Sequence, residues 1–272
     1  MDELIKQAKA LAVKQTGTIL PVKNRIAYAV AHGIHYSSSG YAVRTQGVAQ
    51  ALNEHGFDTV CLVQPGRPWD LRPHGFEFPP VSEAKGVNYV YSRSPDLQPN
   101  NDFAVLLQGH ADRYTELFRI YRPQYVVAAS NWQVGLPAWI AAQRLSLPFF
   151  NEVRGFWELS EAAARPEHEG STAFLRAAEL DAFVAQQALK VFTLNECMKR
   201  ELVKRGVSGE NILLVPNGVV ELPKSTPATL ELKRRLRIQA EDQVIGYIGS
   251  FSAYEGLDLL LEACTELVQS GE

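Results

Sequence analysis

The chain has 272 residues, of which 46% are apolar and 21% are charged. This length and composition indicate a globular protein with one large or two modest domains and exclude a disordered chain. Its formal net charge of -3 at pH 7, from 27 basic and 30 acidic residues, gives no overall field for a polyanion, so a nucleic-acid partner is not expected.

Three cysteines, Cys61, Cys197 and Cys264, lie far apart in apolar strand or helix patterns. Without a Cys-x-x-Cys spacing they are typical of buried, reduced thiols. No apolar run approaches the ~20 residues of a membrane span. The residues after Met1 also lack the apolar centre of a signal peptide. These patterns together predict a cytoplasmic protein.

Residues 1–19 are predicted to hold an N-terminal amphipathic helix. Its helical spacing places Leu4, Ile5, Ala8, Leu11 and Ala12 on one face. Docking of that face against the protein's own body is one interpretation. Peripheral contact with the inner face of a membrane is the other.

Between residues 20 and 221 short apolar runs alternate with helical patterns. The predicted strands are Arg25–Ala31, Thr59–Val63, Val87–Tyr91, Phe103–Leu107, Tyr125–Ala129, Pro148–Val153, Lys190–Leu194 and Ile212–Val215. Helical spacing covers residues 40–56, 113–121, 136–145 and 173–189. Repeated βαβ units predict a Rossmann-like α/β domain, a doubly wound parallel sheet with helices on both faces. The Pro-rich residues 65–80 are predicted to form a long surface loop.

Residues 222–272 are interpreted as a linker and the first βα unit of a second domain. A strand is predicted at Val244–Ser250, followed by a glycine turn and a helix from Tyr254 to Ala263. One βα unit cannot bury both faces of a parallel strand, so we expect a second α/β domain that is truncated here. The unpaired strand and exposed leucines such as Leu257 predict pairing of this fragment with a second copy, as a homodimer.

Ligands of open α/β sheets bind outside the carboxyl ends of the strands. Ser38, Ser39, Gly40 and Tyr41 follow the first predicted strand. A glycine that opens a helix lets backbone N–H groups approach an oxyanion, and the helix dipole adds to the attraction. The alternative is a tight turn with a helix cap. The sequence therefore makes these four residues candidates for binding an anionic substrate group.

A cation and two carboxylates crowd the end of the Pro148–Val153 strand. Arg154 lies close to Glu152 and Glu158 in the sequence. Its guanidinium could hold a phosphate or carboxylate ligand bidentately. The alternative is an ion pair between Arg154 and one of the two glutamates.

Two further strand ends bring polar groups to the same rim. Asn131 and Trp132 follow the strand that ends at Ala129. His110 follows the strand predicted at Phe103–Leu107, which makes it either a catalytic candidate or a structural histidine. We therefore expect a polar rim at the carboxyl edge of the sheet.

Several segments together resemble the retaining GT-B glycosyltransferases related to glycogen and sucrose synthases, a glycosyltransferase family 4-like group. In chain order they are Ser38-Ser39-Gly40, Val153-Arg154-Gly155, Val191–Lys199, Ile212–Val219 with its Val-Pro-Asn-Gly-Val run, and the Gly-x-x-Gly opening of the second domain between Ile245 and Leu260. The Val-Pro-Asn-Gly-Val run leading into Gly-x-x-Gly is the most specific part.

The resemblance implies two Rossmann-like domains with sugar transfer in the cleft between them. The N-terminal domain would bind a glycan or lipid-linked acceptor, which peripheral membrane contact would suit. The C-terminal domain would bind most of the nucleotide-sugar donor, which is a substrate, so no cofactor is expected. The resemblance, together with the strand-end positions, makes Arg154 and His110 the candidate catalytic residues. The candidate substrate-binding residues are Ser38, Ser39, Gly40, Tyr41, Asn131, Trp132, Glu158, Asn217, Gly249 and Ser250.

Two departures from the family pattern stand out. Many members carry a histidine where this chain has Arg154. Members also commonly place basic residues around the first turn of the second domain, whereas Ser250–Gly256 contains none. The acidic pair Glu-x7-Glu that holds the donor in the family would lie beyond Glu272, so we expect this chain alone to be inactive. Asp-x-Asp occurs nowhere and no Cys/His cluster suggests zinc, which favours a metal-independent reaction.

Two other classes of function compete with this interpretation. A non-catalytic carbohydrate-binding or assembly module would keep only the acceptor domain. A Rossmann dinucleotide-binding protein needs a glycine fingerprint after the first strand and an acidic residue after the second. The second strand ends in Val63-Gln64-Pro65, so the sequence disfavours this last class.

Overall fold

The computed structural model describes residues 2–14, 17–71, 75–94, 102–219, 224, 226–227, 229–239, 241–249, 251–252 and 255–271. Its strands are β1 (Arg25–Val30), β2 (Asp58–Val63), β3 (Val81–Ala84), β4 (Val87–Val90), β5 (Tyr125–Ala129), β6 (Phe149–Val153), β7 (Val191–Thr193) and β8 (Ile212–Leu214). Its helices are α1 (Glu3–Ala12), α2 (Gly40–Glu54), α3 (Phe103–Tyr121), α4 (Trp132–Arg144), α5 (Trp157–Ala164), α6 (Thr172–Gln186), α7 (Glu196–Lys204), α8 (Leu230–Arg235) and α9 (Leu257–Ser270).

The strands form one sheet in the order β3-β4-β2-β1-β5-β6-β7-β8. All neighbours pair in parallel except β3 and β4, which form an antiparallel hairpin at one edge. The strand order reverses between β1 and β5, so the crevice for a ligand in this fold lies at their carboxyl ends. The predicted α/β Rossmann-like fold is confirmed, with an antiparallel edge strand that the sequence analysis missed.

Helix starts follow from short polar side chains that accept hydrogen bonds from the first-turn N–H groups. Such caps are formed by Asp2, Ser39, Asp102, Asn131, Ser171, Asn195 and Thr229. The cap by Asp102 explains one error of the sequence analysis, because the predicted strand Phe103–Leu107 is the first part of α3. A short apolar run fits either a buried strand or a buried helix face. Here Asp102 caps the start of a helix, and the helix continues through Asp112–Tyr121.

The strand predicted at Val244–Ser250 is a second error. Its described part, residues 244–249, forms no strand, and Val244, Ile245 and Ile248 are exposed. A strand exists only through hydrogen bonds to a neighbour, and the described residues offer this segment none. The helix predicted to follow it is present as α9. The domain boundary at residue 221 and the homodimer stay predictions.

Helix α1 docks on the protein. Leu4, Ile5 and Ala8 are buried, and the Leu11 carbonyl accepts a hydrogen bond from Arg144 Nε at 3.0 Å. The helix packs mainly on α4 and also on α3. Docking on the body of the protein is therefore confirmed, and the apolar face is not available for the alternative of membrane contact.

The two faces of the sheet are covered unequally. Helices α3, α4 and α6 pack with α1 on one face, where most of the buried apolar residues form a single cluster. On the other face α2 covers β1 and β2. Beside α2 a groove of about 370 Å³ exposes the half-buried rings of Tyr125, Phe150 and Phe192 on neighbouring strands. The apolar surface of β5, β6 and β7 is thus only partly covered.

A close helix contact gives the first testable prediction. A Cβ added at Gly135, inside α4, would lie 2.7 Å from the Cγ1 of the buried, β-branched Val184 on α6. Because Val184 has little rotamer freedom, Gly135→Ala should lower the free energy of unfolding by about 1–3 kcal/mol, as overpacked cores do. Thermal and denaturant unfolding measure this. Gly40→Ala is the matched control, since a Cβ there meets nothing within 4 Å; equal stability of the two variants would contradict the packing argument.

Candidate functional site

The carboxyl edge of the sheet collects loops from distant parts of the chain. Residues 31–39 follow β1, residues 64–71 follow β2, and residues 91–94 follow β4. On the other side of the switch point, residues 130–131 follow β5, residues 154–156 follow β6, and residues 215–219 follow β8. The candidate site lies where these loops meet.

A buried ion network occupies the centre of this edge. The Glu152 carboxylate, on β6, pairs with Arg154 Nη2 at 2.8 Å and with Arg44 Nε at 2.8 Å. It also accepts a hydrogen bond from the Tyr28 hydroxyl of β1. Burial by itself would raise the pKa of Glu152, but Arg154, Tyr28 and Arg44 outweigh it, so the pKa lies below its ordinary value. Glu152 is therefore a buried anion that joins two cations.

Arg154 is held by the protein itself. Its Nη1 donates to the Tyr41 carbonyl at 2.9 Å and to Thr45 Oγ1 at 2.8 Å, and its Nη2 donates to Tyr28 and Glu152. Only Nε has no partner among the described groups, and the side chain is 3% exposed. The ion-pair alternative is thus the one observed. The guanidinium has little capacity left for a substrate phosphate, and its contact with Tyr41 fixes the start of α2.

Arg44 joins the same network to the end of β8. While Nε contacts Glu152, Nη2 donates to the Val215 carbonyl at 2.9 Å and Nη1 donates to the Pro216 carbonyl at 3.2 Å. Nη1 also donates to Asn217 Oδ1 at 2.9 Å, which places this predicted site residue beside α2. Arg44 was not predicted as a site residue, because it lies on a helix and no motif marks it.

The predicted loop Ser38–Tyr41 lies at the start of α2. Ser39 is the N-cap, and its Oγ accepts from the Ala42 N–H at 3.4 Å. Gly40 is exposed and does not have a left-handed φ. A turn that needs glycine for its φ is therefore excluded at this position. The N–H of Gly40 precedes the first intrahelical hydrogen bond, from Val43 N–H to the Ser39 carbonyl, so it belongs to the helix end that attracts anions.

Asn131 and Trp132 begin α4 at the end of β5. Asn131 Oδ1 caps the helix by accepting from the Gln133 N–H at 3.2 Å, and the Trp132 N–H donates to Asp181 Oδ1 at 2.6 Å. Burial, followed by the charge of Glu158, raises the pKa of Asp181 to about 7. The Asn131 side chain and the Trp132 backbone N–H thus position the helix start, beside the β6 end where the Arg154 backbone N–H donates to Ser130 Oγ at 2.8 Å.

Glu158 does not lie on the open rim. It is 1% exposed in the first turn of α5, and its Oε1 lies 2.7 Å from Arg205 Nη1. Arg205 also lies over the Phe156 ring, at 4.2 Å from the centroid. The prediction that Glu158 lines the substrate site is therefore wrong in position, because the helix that follows β6 turns this carboxylate towards α7.

His110 is also misplaced by the sequence analysis. It lies inside α3, not at a strand end, because the predicted strand before it is helical. The side chain is 6% exposed, and burial, with a further contribution from Arg67, lowers its pKa to about 4. The ring is thus neutral at pH 7. It lies near Arg67 of the loop after β2, a residue that the sequence analysis did not single out.

The remaining predictions concern Gly249, Ser250, metal ligands and membrane-spanning helices. Gly249 lies in the exposed segment 241–249, and Ser250 lies outside the described residues. Over the described residues, no group of three or more potential metal ligands is present. In the same part of the chain, no helix combines the length and apolar character needed to cross a bilayer.

The geometry agrees with a match to a protein family. The sequence profile described as "Glycosyl transferase 4-like domain" matches residues 39–218, which is more than half of the 272 residues. The chain belongs to this family. The match begins at the N-cap of α2 and ends next to Asn217, so it contains both ends of the ion network. A search of curated protein sequences finds no match.

The chain is also similar to solved structures. Anabaena HepE, in complex with UDP and glucose, is 15% identical with a TM-score of 0.60, and the match covers 89% of this chain and 57% of HepE. Sucrose-phosphate synthase from Thermosynechococcus elongatus is 14% identical, with 72% of this chain and 90% of that chain covered and a TM-score of 0.48. The lipopolysaccharide galactosyltransferase WaaB is 14% identical, with 72% and 46% covered and a TM-score of 0.48. The likeness is one of fold, and the chain spans about half the length of HepE and WaaB.

Replacing the Glu152 carboxylate, which pairs with both arginines, tests how much the ion network stabilises the fold. In Glu152→Gln the guanidiniums of Arg154 and Arg44 lose their buried counter-charge, so the free energy of unfolding should fall by roughly 3–5 kcal/mol. Because the pKa of Glu152 is lowered in the folded state, its contribution is present above the unfolded pKa of about 4.3 and is lost as pH falls through the folded value. The difference between wild type and variant should therefore shrink on acidification.

Denaturant unfolding at pH 7 and in acid measures both effects. The control is Glu116→Gln, which breaks the exposed 2.8 Å pair with Arg113 on α3. This change should cost at most about 1 kcal/mol. A Glu152→Gln protein as stable as the control at pH 7 would show that the network contributes little.

Proposed function

We propose that this chain is the acceptor-binding part of a retaining glycosyltransferase that moves a sugar from a nucleotide-sugar to a glycan or lipid-linked acceptor. The observation that carries the proposal is the family match over residues 39–218, whose two ends meet at the Glu152 network. HepE, with 57% of its length covered by this chain, is a complex with UDP and glucose, which supports a nucleotide-sugar donor.

The proposed chemistry uses the helix end beside the network. In the transfer, the bond between the sugar's anomeric carbon and the donor phosphate breaks, a bond to an acceptor oxygen forms, and the acceptor's proton leaves. Negative charge develops on the departing diphosphate. The start of α2 at Gly40, an exposed N–H with the positive end of the helix dipole, would stabilise that charge without a metal.

The Glu152 network would then be a positioning device. Arg154 fixes the Tyr41 carbonyl and Arg44 fixes the Val215 and Pro216 carbonyls, so the start of α2 and the end of β8 are held at a set distance. The side chain of Asn217 is held at the same place. In this proposal Arg154 acts through the loop, not by touching the substrate. We further propose a cytoplasmic enzyme of polysaccharide biosynthesis, with a second domain completing the donor site.

The chain alone should fold and transfer no sugar. The sheet is built from residues 25–214 and its core includes α1, while the chain covers only 57% of the length of HepE. A cooperative melt together with no transfer from labelled nucleotide-sugars to glycan or lipid acceptors is the expected result. The matched comparison is the longest polypeptide that contains this chain. Sugar transfer by the chain itself would contradict the proposal that a second domain completes the donor site.

Gly40→Ala in the complete enzyme tests the role of the α2 start. Because Gly40 does not have a left-handed φ and a Cβ there meets nothing within 4 Å, the fold should tolerate the methyl group and the melting temperature should not fall. If the backbone approaches the diphosphate, turnover should drop by an amount equivalent to about 2–4 kcal/mol, as when an oxyanion donor is lost.

The kcat and the melting temperature should be measured on the same preparation. Gly135→Ala provides the opposite pattern, since it changes packing between α4 and α6, on the face of the sheet opposite to α2. An unchanged kcat in Gly40→Ala would remove this loop from the active site and leave the family assignment untouched.

A further inference from the structure

A second polar group of residues lies on the other side of the switch point from Glu152. We call it the Arg67 cluster, and it consists of His32, Arg67, Trp69, Ser92, His110 and Tyr114. His32, Arg67 and Ser92 follow β1, β2 and β4, which are neighbours in the sheet, so their chain ends share one edge. Ring contacts connect the loops, with centroids 6.0 Å apart for His32 and Tyr36, 5.9 Å for Tyr36 and Phe78, and 6.4 Å for Phe78 and Trp69.

Each member of the cluster has a buried polar atom with no hydrogen-bond partner among the described groups. These atoms are His32 Nδ1, Arg67 Nε, Trp69 Nε1, Ser92 Oγ, His110 Nδ1 and Tyr114 Oη. His110 and Tyr114 are 6% and 0% exposed, so solvent does not substitute for a partner there. An unpaired buried polar group is destabilising, and native proteins contain few of them. Their concentration in one place indicates a ligand that supplies the missing partners.

The chemistry of the unpaired atoms favours an anion. Arg67 Nε and Trp69 Nε1 can only donate, and the hydroxyls of Ser92 and Tyr114 can donate as well. Arg67 Nε lies 3.2 Å from Asp70 Oδ2, as an ion pair without the geometry of a hydrogen bond, so its N–H stays available to a ligand. A neutral sugar would need acceptors as much as donors, whereas a phosphate or carboxylate needs donors only.

The charged groups of the cluster also favour an anion. Among the described residues in contact with the cluster, the guanidiniums of Arg67 and of Arg93, which lies over the Trp69 ring at 5.1 Å, accompany the carboxylate of Asp70. Burial first, and then the charge of Arg67, lowers the pKa of both His32 and His110, so the rings are neutral in the free protein. The net charge is therefore positive before any histidine is protonated, and a bound anion would raise the pKa of both rings.

We propose that the Arg67 cluster binds an anionic group, a phosphate or a carboxylate, of the acceptor substrate. That the anion belongs to the acceptor rests on the proposed function, while anion binding itself does not. The cluster lies with β2 and β4, and the α2 start that would face the donor diphosphate is tied to β6 and β8. The acceptor would thus carry its own negative charge, as a sugar phosphate, a phospholipid-linked sugar or an acidic sugar does.

Binding is measured by NMR of histidine-labelled protein and by calorimetry, using inorganic phosphate, glucose 1-phosphate, glucuronate and glucose as probes. The anionic probes should shift the ring signals of His32 and His110, and glucose should not. Glucose 1-phosphate and glucuronate separate a phosphate from a carboxylate preference. Arg67→Gln should weaken binding of the preferred anion at least about tenfold, as loss of a charge-assisted hydrogen bond does. Arg165→Gln, at an exposed pair with Glu161, should leave it unchanged.

Tyr114→Phe keeps the test valid if Arg67→Gln does not fold. Removing a hydroxyl that has no partner should raise the melting temperature while weakening anion binding. A lower melting temperature with unchanged binding would instead mean a structural hydroxyl and count against the proposal. Gly40→Ala identifies phosphate held at the start of α2, since that binding would weaken in this variant and not in Arg67→Gln.

Two results would separate this proposal from the proposed function. Anion binding equal in wild type and Arg67→Gln, or binding of glucose alone, overturns the anionic acceptor while a glycosyltransferase with a neutral acceptor still stands. Phosphate binding at the cluster in a complete enzyme that transfers no sugar to any acceptor supports the anion site and contradicts the proposed function.

Discussion

One carboxylate holds the candidate site together. Glu152 lies on a central strand with a 5% exposed side chain, and it faces guanidiniums from α2 and from its own strand end. Arg154 also donates to the Tyr41 carbonyl at the start of α2, and Arg44 donates to the Val215 and Pro216 carbonyls after β8. Breaking a buried ion pair costs several kcal/mol, so the two segments that these guanidiniums hold cannot move apart easily. The positions of the α2 start and of the β8 end therefore follow from the ionisation of a single residue.

The sequence predicted the fold where local pattern and long-range pairing agree. The run Tyr125–Ala129 is short, apolar and β-branched, and it pairs on both sides as expected. Phe103–Leu107 is equally apolar, yet Asp102 caps it into a helix. The segment at Val244 has strand composition but no neighbour to pair with among the described residues. Composition predicts burial, whereas the choice between helix and strand depends on caps and partners elsewhere in the chain.

The candidate site was predictable in position and not in contacts. Parallel topology alone places Ser38–Tyr41 and Arg154 at one edge of the sheet, which the structure shows. It does not predict that Arg154 faces inward, because Tyr28, Tyr41 and Thr45, which hold it there, are separated from it by more than a hundred residues. Arg44 and Arg67 escaped notice because one lies on a helix face and the other in a Pro-rich loop. Pairing of remote charges leaves no local sequence signal.

The two polar centres draw mainly on different loops. The Glu152 network uses β6, β8 and the start of α2, while the Arg67 cluster uses the loops after β2 and β4 and the side of α3, and only His32 comes from the loop that leads into α2. Loops at the sheet's edge tolerate substitution, insertion and exchange better than strands do. In the proposed enzyme, the loops at residues 64–71 and 91–94 could therefore change, and the acceptor with them, while the start of α2 keeps its contacts. Such a division makes changes of acceptor an evolutionarily short step.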